Sequence, residues 1–181
     1  MGSASSANQA VSTNPQLPTG PVKSVDSRLP FTHYKQVFTL KNNWKAVSRR
    51  MDEVSKDCLS RFFMAHPHHL QLHSELAKMD KSTLESSIEF ENSALNVFQC
   101  IDEVVKKLEE DVDSAIAVLE KTGKFHKGID GFEASYFQDM ENPFVDSIKD
   151  CLGERCTEAT DGLLHNFYAF LVTYLSKPFE R

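Results

Sequence analysis

Between residues 40 and 63 the apolar side chains fall at Leu40, Trp44, Val47, Met51, Val54, Cys58 and Phe62. Steps of three or four put them all on one face of a helix. Such a stripe has to be buried against further helices, because a helix hides only one face. The pattern recurs. Leu84, Ile88, Leu95, Phe98, Ile101, Val105 and Leu108 predict a second long helix, and Ile116 and Leu119 carry a third towards His126, where Gly128 and Gly131 break the pattern. Residues 137–152 predict another, ended by Gly153, in which Pro143 should kink or delay the helix. The last starts at Thr157, a suitable cap, and runs through Leu163, Leu164, Phe167, Phe170 and Leu171. Proline at position 67 closes the first stripe after His66, and a bend is expected inside it near Asp52. The fold class is therefore all-α, with six to eight helices and no sheet.

Residues 1–26 are mostly Ser, Ala, Asn, Pro, Gln, Thr and Gly. They carry too little apolar surface to offset the entropy of ordering the chain. We divide the 181 residues into a disordered tail, 1–36, and a folded domain, 37–181; Pro30 and Phe31 are placed to lie against the domain. A net charge of −6 gives no basic face for nucleic acid. No apolar run reaches the roughly 18 residues of a membrane span, and the opening lacks a secretory pattern. Cys58, Cys100, Cys151 and Cys156 form no C-x-x-C pair and read as small buried hydrophobes in a reducing compartment. A cytoplasmic location follows, with one addition. Met1-Gly2-Ser3-Ala4-Ser5-Ser6 fits the N-myristoylation pattern at Gly2, and equally fits a plain unstructured start. One myristoyl chain binds membrane with an association constant of only about 10⁴ M⁻¹. With no cysteine nearby and Lys23 as the only local base, the association would be weak and reversible.

Histidines are the chemically telling residues. His66, His68, His69 and His73 crowd one corner, but the first three lack a second ligand cluster at suitable spacing, which disfavours zinc. His126 stands at a helix end, where it is either a ligand or simply a cation favoured by the helix dipole. No nucleophile–base pair, phosphate loop or carboxylate pair appears, so conventional enzyme chemistry is not expected.

Several segments taken together narrow the choice: Trp44-Lys45-Ala46-Val47-Ser48-Arg49, Arg61-Phe62-Phe63-Met64-Ala65-His66-Pro67, Val97-Phe98-Gln99-Cys100-Ile101-Asp102, Thr122-Gly123-Lys124-Phe125-His126-Lys127-Gly128, and residues 151–160. In order and spacing they resemble the globin family, particularly neuroglobin-like and nematode globins, over residues 40–179. The resemblance implies a globin-like fold and haem b, its iron held on the proximal side by His126. Val97 falls at the pocket valine, and Ser93, four residues earlier, stands where the family usually has a distal histidine. Leu59, Leu95 and Val97 would form apolar wall, with Asn92 and Asn96 as nearby polar groups. His73 occupies the position of the phenylalanine that stacks on the macrocycle, and could stack similarly, hydrogen-bond a propionate or reach the iron; its plainer reading is a residue of a solvated, His-rich corner. Trp44 reads as a core anchor. Phe132, Phe137, Phe144, Phe167 and Phe170 are unranked candidates for the pocket. The implied function is binding of oxygen or another diatomic gas, in sensing, redox signalling or oxygen handling. Bulk storage is disfavoured because Ser93 is a poor donor towards bound gas. Two alternatives remain: a six-coordinate electron-transfer globin and a haem-free signalling or interaction module. A homodimer is compatible with either.

Overall fold

The computed structural model describes residues 24–80 and 82–180. Among these are seven α-helices and no strand. The Gly2 site and most of the tail lie outside the described residues. The folded domain begins before residue 37: Leu29 and Phe31 are buried in the core, and helix α1 already spans Tyr34–Arg49. Its start is set by Gln36, whose Oε1 accepts from the backbone N–H of Thr32 at 2.7 Å and of His33 at 3.2 Å. Two orphan donors are thereby satisfied, which is why the helix can begin six residues ahead of Leu40.

The first apolar stripe is divided between two helices. Arg50 leaves the helical region (φ −129°, ψ 31°), its N–H bonds Val47 O at 3.0 Å, and α2 then runs Met51–Ala65. The break falls two residues before the expected bend and does not disturb the three–four spacing, so the stripe reads as continuous. Helix α2 ends at Ala65, with His66 outside the helical region (φ −132°, ψ 66°) ahead of Pro67, which disfavours helix in the residue before it. Short 3₁₀ turns at Pro67–Leu72, Leu76–Lys78 and Leu84–Ser86 make the corner.

Helix α3 spans Ile88–Lys107 and is capped by Ser87, whose hydroxyl accepts from Phe90 N at 3.1 Å. That cap corrects the expected register. Ile88 is 66 % exposed, whereas Phe90 is 1 % exposed, and the buried face continues through Ala94, Phe98, Ile101 and Val105. Helix α4, Val112–Lys127, is capped by Asp111, which accepts from Ser114 N at 2.9 Å. The short α5, Tyr136–Asp139, is followed by α6, Glu141–Leu152. Pro143 lies in the first turn of α6, where no intrahelical partner is lost, so the helix restarts instead of kinking. Gly153 then takes φ 55°, a left-handed conformation open to glycine. Helix α7, Glu158–Ser176, is capped by Thr157 as expected, through Thr160 N at 3.2 Å.

Two apolar clusters result. The larger joins α1, α3, α4, α6 and α7, and at its centre Trp44 stacks with Phe98 and Phe144 at centroid distances of 6.1 and 6.3 Å. The smaller, with Leu59, Phe62, Phe63, Leu76, Leu84, Phe90 and Ala94, fills the space beneath the corner. Met140 packs against both.

Helices α4 and α7 meet backbone to backbone. A Cβ added at Gly123 would lie 2.9 Å from the carbonyl carbon of Leu175 and still closer to its oxygen. In an unconstrained helix, glycine is worse than alanine by roughly 0.5–1 kcal/mol; here the sign should reverse. Gly123→Ala should destabilise the fold by about 1–3 kcal/mol through overpacking against immovable backbone. Urea denaturation checks this, and a stabilised variant would show that the two helices are not in contact.

Candidate functional site

The last turn of α4 carries His126. Its Nδ1–H donates to the carbonyl of Thr122, one turn earlier, at 2.9 Å. That bond orients the ring and fixes the tautomer, leaving Nε2 with a free lone pair. Aromatic rings surround it: Phe132 at 4.9 Å, Phe137 at 5.2 Å and Phe125 at 5.6 Å between centroids. Phe137 is held from behind, because the buried Tyr168 hydroxyl donates to its carbonyl at 2.7 Å. The turn Lys177–Phe179 closes the same wall. Phe179 packs on Phe132 and Phe137 at 6.1 and 6.0 Å, and Lys127 Nζ donates to Pro178 O at 2.6 Å. Burial pushes the His126 pKa down, against a smaller upward pull from the Thr122 carbonyl, so the imidazole is neutral near pH 7.

His73 does not project into a solvated corner. It is half-buried, with its ring edge-on to Phe63 at 5.3 Å. Its pKa is lowered by burial first, then by the charges of His126 and His69. Leu59 and Val97 converge as expected. With Ser55, Cys58, Ala94, Phe98 and Met140 they line a narrow, almost wholly apolar gap between α2 and α3, at the seam of the two clusters. Ser93 lies one turn ahead of Val97, partly exposed, and its hydroxyl makes no hydrogen bond to the described residues. Leu95 is only partly buried, while Ala94 is fully so.

The model of the globin family matches residues 56–175. The chain belongs to the globin family. Its fold is similar to that of a hexacoordinated haem protein from an anhydrobiotic tardigrade: 26 % identity, TM-score 0.80, covering 86 % of this chain and 99 % of that one. The haemoglobin of the botfly Gasterophilus intestinalis is similar at 19 % identity and TM-score 0.71, covering 79 % of this chain and 95 % of that one, which bears on the fold alone. No curated protein matches the sequence.

In this globin, Phe132 and Phe137 are the phenylalanines at the histidine. Phe144, Phe167 and Phe170 belong to the core cluster. Sequence reasoning missed Thr122, because any residue at that position offers the same backbone carbonyl. It missed Ala94 and Met140 because small or flexible wall residues have no signature. It also missed Asp139, whose carboxylate Oδ2 lies 2.7 Å from Nε2 of the buried His69. The four-residue spacing from His126 to Thr122 is the one signal that was available.

His73 and His126 favour the neutral form in the folded chain, and so does His69, whose burial outweighs its bond to Asp139. Below the ordinary histidine value of about 6.5 the unfolded chain therefore binds more protons than the folded one, and stability falls as pH falls. Urea denaturation of the ligand-free chain should give a falling unfolding free energy between about pH 6.5 and 5, with a shallower slope in His73→Phe. A slope unchanged in that variant would mean His73 is solvated.

Proposed function

We propose that this globin binds haem b through His126 and uses it to take up oxygen or another diatomic gas. The observation that carries this reading is the bond from Nδ1–H of His126 to the Thr122 carbonyl, which leaves Nε2 as the free donor atom in an aromatic setting. The residues present fit the group. A neutral, oriented imidazole is the usual proximal ligand, and Leu59, Ala94 and Val97, which line the apolar gap between α2 and α3, would supply wall for the macrocycle. No C-x-x-C-H stretch offers thioether attachment, so the haem would be held without covalent links.

Haem supplies an iron that can take up a gas or exchange an electron. The chain's own residues do the rest. The Thr122 carbonyl strengthens the donor character of Nε2. Phe132, Phe137 and Phe179 exclude water on the His126 side. Leu59 and Val97 do so across the seam. Ser93 offers only a short hydroxyl at its partly exposed position, a weak donor towards a bound gas. Such a site suits sensing, redox signalling or oxygen handling better than bulk storage, and calls for no enzymatic turnover. It would act in the cytoplasm, or at a membrane surface if Gly2 is acylated. No helix among the described residues is long and apolar enough to cross a membrane.

A second reading has its own support. His73 is half-buried, with its ring edge-on to Phe63, and the tardigrade protein is hexacoordinated. In that reading His73 would join His126 in holding the iron, and the globin would transfer electrons.

The test is the absorption spectrum of the haem-loaded chain in ferric, ferrous and ferrous carbon monoxide states. One equivalent of haem, lost in His126→Ala, and a large carbon monoxide shift from a high-spin ferrous form are expected. A low-spin ferrous form that becomes high-spin in His73→Phe would favour the second reading. Haem retained equally by His126→Ala would overturn the assignment, and no haem uptake at all would leave a haem-free interaction module.

A further inference from the structure

The histidine corner acquires a partner that its sequence spacing gave no hint of. His66 follows α2, His69 lies in the turn Pro67–Leu72, and Asp139 closes α5, 70 residues beyond His69. We propose that His66, His69 and Asp139 form a binding site for a divalent transition-metal cation such as zinc, separate from the pocket of His126 and independent of what that pocket binds.

One ligand atom from each of the three residues lies within 4.8 Å of the others. Asp139 Oδ2 is 2.7 Å from His69 Nε2 and 3.9 Å from His66 Nδ1. Tetrahedral zinc with bonds of about 2.0–2.2 Å holds its ligands roughly 3.3 Å apart. The two separations from Asp139 lie on either side of that value and the third is within 4.8 Å, so side-chain rotation is needed to close the set on one ion. Two imidazoles and a carboxylate suit zinc and its first-row neighbours; calcium and magnesium call for oxygen donors. The donors are held in place. His69 is 2 % exposed, stacked on Phe62 at 4.8 Å and capped edge-on by Tyr136 at 4.5 Å. His66 and Asp139 are each about one-third exposed, which leaves a solvent side for a water as fourth ligand.

Binding would displace the proton shared between His69 Nε2 and Asp139 into solvent, as imidazole ligation requires. It would also tie the corner to α5. From there ring contacts lead inward: His69 to Tyr136 at 4.5 Å, Tyr136 to Phe132 at 5.6 Å, and Phe132 to His126 at 4.9 Å.

The experiment uses the full chain stripped of metal, titrated with Zn²⁺ by calorimetry and with Co²⁺ by visible absorption. The wild type and His126→Ala should each bind one equivalent of Zn²⁺ at micromolar concentration or below. Bound Co²⁺ should show the intense visible band of low coordination number, and Zn²⁺ should raise Tm. His66→Gln and Asp139→Asn change partly exposed residues and should keep the wild-type far-ultraviolet spectrum while weakening binding at least about tenfold. Unchanged affinity in both variants, or no one-to-one binding at micromolar Zn²⁺, would overturn the proposal.

Discussion

The stack of Trp44 on Phe98 and Phe144 is the contact on which the other helices are arranged. It joins α1, α3 and α6 at one point. The indole N–H also donates to Asp102 on α3 at 2.9 Å, which fixes rotation as well as distance. Phe98 serves two purposes, because it belongs to the stack and also lines the gap beside Val97 and Leu59. The depth of the core and the position of that gap are thus one constraint. A ring that size leaves little freedom for α3 to slide, since close-packed interiors transmit displacement instead of absorbing it.

Much of the helical plan was legible in the sequence because it rests on local chemistry. The Thr157 cap, the stop at Pro67 and the turn at Gly153 each act within a few residues of themselves. Where the reading went astray, a non-local or competing local term decided. The long first stripe hid a helix break because Arg50 interrupts backbone hydrogen bonding without changing side-chain spacing. The register at the start of α3 followed the Ser87 cap rather than the apolar Ile88, which faces solvent. The start of the domain was set by Leu29 and Phe31, whose burial depends on surfaces formed by later helices.

The site divides in the same way. His126, Leu59 and Val97 were singled out by pattern; the structure sets His126 among aromatic rings and Leu59 and Val97 in one apolar gap. Ser93 and His73 were recognisable only as departures. The surroundings of His73 could not be read from its neighbours in sequence: Phe63, which meets its ring edge-on, comes from α2. Asp139 shows the limit most clearly. A carboxylate 70 residues from its histidine leaves no trace in spacing, and only the packing of α5 against the corner brings the two together.

The turn Lys177–Phe179 bears on how the molecule is made. Its contacts with Lys127, Phe132 and Phe137 form the outer course of the wall around His126. Synthesis delivers that turn some fifty residues after the histidine. While the chain is still growing, the His126 side stands open to water, even after α1 to α4 have folded. Whatever comes to rest on His126 meets a finished wall only once Phe179 has left the ribosome, so the order of assembly follows from the position of one aromatic residue.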